Sequence, residues 1–321
     1  MSALQVPNRV AKEHVSLIHG WTEYHRLLIK MAYFDEDEVQ FPPHTGSGKH
    51  PLATTRLIEA GLHEDLIALV HLLPFAAPSR SSDTAISPGS NTLTYYEKDS
   101  QSGLNSEVRM FGYDDEGEVT LPSWAMRLTA ANNRNDSQVI YDMRNKTLSE
   151  ISLYETTMTE FEKAARPAGE LPQQWLQNLH SLEWIPWRPS DGNLWFYVRT
   201  RVYEDELRFE RSGQTVDPPK IPAWVTAEQA ARLSHIPNIL TEINKAQHNE
   251  YWSRRLIFES AGWPEAFDRQ ECRDSIDEWE WESTAIYHES MRAHIPLMIG
   301  DDNFGKVMRE YFRRAAGEYA V

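Results

Sequence analysis

Two histidines in a glycine-containing loop, His44 and His50 of HTGSGKHP, and two carboxylates beside a β-rich run, Asp142 and Glu150, are the residues best suited by type to proton-transfer chemistry. An imidazole changes charge near neutrality, and a carboxylate can orient it or share its proton. A pocket that gathered these four would be able to work as general acid and base, and loops and strand ends are where pockets commonly form. A loop histidine that is simply solvated is the competing reading.

Other chemistries find less support. Gly46-Ser-Gly48-Lys49 has the flavour of a phosphate loop, but Pro43 stands where the first glycine is needed and His50 where the magnesium-binding hydroxyl is needed. No two of the twelve histidines stand at i, i+3 or i, i+4, so a helical zinc pair is absent; His19 and Glu23 at i, i+4 read as a surface ion pair. Asp274-Ser-Ile-Asp277-Glu278 has the form of a metal-binding acidic motif. Asp274, Glu278 and Glu282 nevertheless fall at i, i+4, i+8, the pattern of a solvated helix face. No G-x-S-x-G elbow occurs, and Cys272 lies on an apolar helix face, where an inert thiol is expected. No metal and no cofactor is therefore expected.

Trp184, Trp187, Trp195 and Tyr197, with Trp263 further on, are candidates to line an apolar or planar ligand site. Strand alternation would put Trp195 and Tyr197 on one face. The alternative is that these rings join structural layers, and the chain's eleven tryptophans suit either role.

The elements that must position these residues can be read from pattern. Leu17, Trp21, Tyr24, Leu28 and Met31 repeat at helical spacing over residues 10–33, and an acidic run Asp35–Glu38 closes that helix. A second helix is expected over 63–73, stopped by Pro74 and Pro78. Residues 79–91, SRSSDTAISPGSN, read as a polar loop or lid. Strands are expected at 92–96 and 107–111. Val139-Ile-Tyr141 and the run Leu148, Ile151, Leu153 argue a hairpin across Arg144-Asn-Lys146. Thr157 with Glu160 then fits a capping box opening a helix. Residues 184–187 and 194–198 form a strand pair about Asp191-Gly192. The prolines of 216–222 interrupt the chain. The remainder is helical in pattern, with Pro264 opening a long acidic helix and a last helix over 304–316.

The chain has 321 residues, enough for one large core or two ordinary ones, and its 48 acidic against 32 basic residues give −16. That charge disfavours nucleic acid and anionic membrane surfaces. One cysteine excludes an intramolecular disulfide. Without an apolar leader or an apolar run of membrane length, a cytoplasmic location is expected.

The segment 121–161, with Gln138-Val-Ile-Tyr-Asp142, the polar turn, Leu148-Ser-Glu150 and the capped helix to Phe161, resembles the heart of the SUKH superfamily. Those are largely binding modules engaged in protein association or toxin neutralisation, which implies the same for this chain. The superfamily's glycine-rich turn is replaced here by Arg144-Asn-Lys146, and its tryptophan is matched loosely by Trp124. The runs HLLPF and Ala261-Gly-Trp-Pro264, with 184–200, also resemble proteins of filamentous fungi to which no activity attaches.

The expectation is an α+β fold: a central, mainly antiparallel sheet with N-terminal helices and a helical C-terminal segment packed on it. One integrated domain over 1–321 is expected, with 1–215 and 223–321 as a possible subdivision. The favoured function is a non-catalytic intracellular binding protein with an acidic surface and a protein partner. The alternative is a cofactor-independent enzyme or binder of an apolar small molecule in fungal specialised metabolism.

Overall fold

The computed structural model describes residues 7–45, 49–77, 84–93, 95–96, 108–114, 117–131, 136–152, 157–188, 194–198 and 251–281. The chain divides into two compact units, 1–199 with 255–273, and 200–254 with 274–321. The expected features at 191–192, 216–222 and 304–316, with Glu282, lie outside the described residues.

In the first unit the N-terminal pattern folds as read. Helix α1 is Asn8–Glu13 and α2 is Val15–Lys30. Leu17, Trp21, Tyr24, Leu28 and Met31 are all buried, because positions three and four apart share a helix face. The acidic run after α2 makes a 3-10 turn, Glu36–Glu38, with a reciprocal cap: the Glu38 carboxylate accepts from the Asp35 amide at 2.8 Å. Next come two short helices, α3 (Thr54–Glu59) and α4 (Glu64–Val70), and a small ladder pairs β1 (Val39–Gln40) with β2 (Phe75–Ala76).

Every described strand pairing is antiparallel, and the fold is α+β. The strands form several small sheets. The largest runs β11 (Ala165–Pro167), β10 (Thr147–Ser152), β9 (Ser137–Asp142), β7 (Ala125–Arg127). Its middle is the expected hairpin, with Asp142 opposite Thr147 and Val139 opposite Glu150. One face carries Ala125, Ile140 and Ile151. It is covered by Phe111 and Leu121 from the β5 (Met110–Asp114) and β6 (Gly117–Thr120) region and by Phe161 of α5 (Met158–Lys163). The other face carries Tyr141, whose hydroxyl is hydrogen-bonded to His14 Nδ1 at 2.6 Å, between α1 and α2. Cover on both faces explains why β9 is buried almost throughout rather than alternating with solvent.

Three expectations change. Part of the supposed loop 79–91 is a hairpin, β3 (Ala85–Ser87) with β4 (Ser90–Thr92), which β8 (Thr129–Ala130) extends. Gly89 takes φ +74 at its turn, a conformation that removes the need for a conventional Asn-Gly signal. Thr157 caps α5 by accepting from the Glu160 amide, but Glu160 turns its carboxylate to Lys163 at 2.9 Å, so half of the box forms. Pro264 stands in a turn instead of opening a helix; the helix starts at residue 269, where Asp268 accepts from the amides of Gln270 and Glu271.

Helix α6 (Glu170–His180) and the strand pair β12 (Trp184–Trp187) and β13 (Trp195–Val198) complete the described core of this unit, with 255–273. Residues 255–273 are tied to it by Lys30 Nζ to the Pro264 carbonyl (3.0 Å), Trp263 Nε1 to the His180 carbonyl (3.2 Å) and Arg273 to Asp35 (2.6 Å). In the second unit, residues 251–254 and 274–281 are described, and all are helical. There the Arg254 guanidinium lies 3.9 Å from the Trp279 ring centroid.

Candidate functional site

His44 is buried, and the bonds at its two nitrogens fix its tautomer. Nε2–H donates to the Leu73 carbonyl at 2.8 Å, so Nδ1 is the acceptor for Gln40 Nε2–H at 3.0 Å. Burial is the main cause that pushes its pKa down to about 4, against the opposing pull of the Leu73 bond. Gln40 also accepts from the His50 amide and donates to the His50 carbonyl, both at 2.8 Å. Gln40 is therefore the hub that closes the loop ends 40 to 50. The His50 ring itself is exposed and lies 6.0 Å from the Tyr96 ring. The two histidines thus come together, but through the backbone of one and the ring of the other.

The two carboxylates part company for a reason that strand geometry supplies. Asp142 opposes Thr147 and Glu150 opposes Val139, one odd step apart along the ladder. Alternation then sends their side chains to opposite faces of the sheet. Asp142 accepts from the amides of Arg144 (2.8 Å) and Asn145 (3.1 Å) and from Asn145 Nδ2 (2.9 Å). It shapes the turn that glycine shapes elsewhere. The described partners of His44 are Gln40, Leu73, Phe75 and Tyr96, not these acids.

Glu150 is the more interesting of the pair. Burial raises its pKa, with the Arg166 charge and a hydrogen bond from Ser137 Oγ (3.3 Å) acting in the opposite direction. Ser137 Oγ is in turn 3.2 Å from Ser90 Oγ. Glu150 shares its sheet face with Tyr141, toward α2, and its charge reaches Tyr24, whose own pKa burial drives well above the ordinary tyrosine value. A carboxyl that holds its proton further up the pH scale is the kind of group that acid–base sites employ.

The five aromatic candidates fall into three places. Trp187, Trp195 and Tyr197 share one face of the β12–β13 pair: Trp187 opposes Trp195, and Tyr197 sits 6.0 and 6.3 Å from the two rings. Trp184 points to the other face with Phe196 (6.3 Å) and touches Trp175 of α6 (5.8 Å). Trp263 stacks on His180 at 5.8 Å and meets Phe267 edge-on at 5.3 Å. Sequence reading missed the residue that links the layers, Trp175. It touches Trp21 (6.0 Å), Tyr24 (5.0 Å) and Trp184, joining α2, α6 and β12 in one chain of rings. The signal was present: Leu171, Trp175 and Leu179 repeat at four-residue spacing, and all are buried.

Among the described residues no group of three or more His, Cys, Asp or Glu side chains is arranged to hold a metal ion. Burial raises the Cys272 thiol to about 12, which keeps it protonated and unreactive. No helix of the described residues is long and apolar enough to cross a membrane. No protein-family model, curated protein or solved structure matches the chain.

Proposed function

We propose that the protein is a non-catalytic binding protein that recognises a basic segment of a partner protein through its acidic exterior. The observation that carries this reading is the employment of the candidate acid–base groups. His44 bonds at both nitrogens to its own fold, and Asp142 is occupied by three donors of its own turn. Their polarity is used to hold shape. Asp274, Asp277 and Glu278 lie on exposed positions of one helix, in a chain of −16. Such a field speeds encounter with a cationic partner and makes binding fall with salt. The likeness of 121–161 to SUKH binding modules points the same way.

Crosslinking of the tagged chain in extracts of its source cells, followed by purified binding assays, tests this. The expected result is one protein whose affinity falls with salt and falls again in Asp274→Asn/Glu278→Gln. A partner indifferent to both salt and that double variant overturns the reading.

A further inference from the structure

Helices α2 and α6 pack closely where Gly20, Trp21 and Tyr24 meet Pro172 and Trp175. Gly20 allows the touch, since a Cβ there would stand 2.8 Å from Pro172 Cβ. Beyond the Trp21, Tyr24 and Trp175 contacts, a groove of about 310 Å3 opens. It is lined by Glu23, Arg26, Leu27 and Lys30 of α2 and by Leu176 and His180 of α6. These positions are i, i+3, i+4, i+7 on one helix and i, i+4 on the other, so each set occupies a single helix face. Lys30 Nζ stands 5.1 Å from the centroid of the Trp263 ring, the ring on which His180 stacks.

The sign of the groove runs against that of the chain. Arg26 and Lys30 against Glu23 leave one positive charge, with an imidazole beside them, in a molecule of −16. Arg26 gives Nη1 to Glu23 (2.8 Å), and Lys30 gives one hydrogen to the Pro264 carbonyl (3.0 Å). A guanidinium has five N–H donors and an ammonium three, so both retain donors for another acceptor. In the last turns, the Leu28 and Ile29 carbonyls of α2 accept from the Tyr33 and Ala32 amides, and the Gln177 and Leu179 carbonyls of α6 accept from the Ser181 and Leu182 amides. Leu27 and Leu176 supply apolar surface between the charges.

We infer that this groove binds a small oxyanion ligand. A phosphate or carboxylate head is held by Arg26, Lys30 and His180, and a short apolar body lies over Leu27 and Leu176. The volume is at the lower end for small-molecule sites, and paired cationic donors are the usual means of gripping such a head. This site uses neither Asp274 nor Glu278 and is independent of the protein-binding reading.

Calorimetric titration of the full chain with phenyl phosphate tests it, with benzoate and benzyl alcohol as parallel arms. Saturable binding of phenyl phosphate or benzoate is expected, and whichever binds more tightly identifies the head. Benzyl alcohol, which lacks the charge, is not expected to bind. Arg26→Gln and Lys30→Met should each weaken binding about tenfold, and Glu23→Gln should tighten it several-fold by releasing Arg26. Arg26 is an exposed side chain, so its variant is expected to fold, and a thermal melt identical to the parent's confirms it. Absence of saturable binding, equal binding of benzyl alcohol, or variants that shift affinity without the opposite signs of Arg26→Gln and Glu23→Gln overturn the assignment.

Discussion

His44 and His25 carry the pH behaviour that single residues impose on this fold. Burial depresses both to about 4, below the unfolded value near 6.5. Between those values the folded state binds fewer protons than the unfolded chain. Their contribution to stability is complete above about pH 6.5 and is lost as pH falls through about 4. In an NMR titration their ring signals should therefore move near pH 4 and stay still around neutrality. His44→Ala strands the Leu73 carbonyl and the Gln40 amide and leaves a void, at an expected cost of about 2–4 kcal/mol in denaturant unfolding. Glu150 works in the opposite sense. Its folded pKa is raised, so its ionised form opposes folding once pH passes through the unfolded and then the folded value. Glu150→Gln should raise the melting temperature at neutral pH and change little at about pH 4, where the parent carboxyl is largely protonated in both states.

At the scale of elements, the contact of α2 with α6 is the one most exposed to a single methyl group. Gly20→Ala puts a Cβ against Pro172 in a close-packed seam, and a loss of about 1–3 kcal/mol is expected, larger for Gly20→Val. Gly262 is constrained differently: φ is +87, and an added Cβ would collide with the Ala266 carbonyl, so Gly262→Ala should disturb the turn carrying Trp263. Elements whose apolar residues repeat over several turns were legible in the sequence. The α2 stripe and the β9–β10 hairpin came from periodicity alone, and Thr157 announced its helix. The separation of Asp142 from Glu150 was not legible, since it depends on the hairpin register, and a one-residue slip would put both side chains on one face. The pairing of β3 with β4 was not either, because a short polar hairpin has the composition of a loop. Nor was the course of the aromatic chain, since which rings from α2, α6 and β12 meet depends on how layers cross.

For the first unit taken whole, the decisive charge cluster surrounds Asp35. Burial by itself would raise the Asp35 pKa, but the bond from Arg273 and the charges of Arg188, Arg273 and Arg269 outweigh it and hold the carboxyl below its usual range. Arg188 also grips Glu38 at 2.6 Å. Because the folded pKa is depressed, this stabilisation is present above the unfolded value near 3.8 and is lost as pH falls through the folded one. Asp35→Asn leaves three guanidiniums facing one another. With the side chain about one-third exposed, a loss of about 1–2 kcal/mol is expected, reduced by added salt, in chemical unfolding of the full chain.

Arg269 and Arg273 reach back across more than two hundred residues to grasp a turn made near the start of the chain. During vectorial synthesis, then, the early part of this unit waits for its closing segment while residues 200–254 emerge in between. Ribosome-bound intermediates halted before residue 255 should leave the α2 and α6 surfaces that later receive Trp263 open to chaperones, and release past residue 273 should shut them.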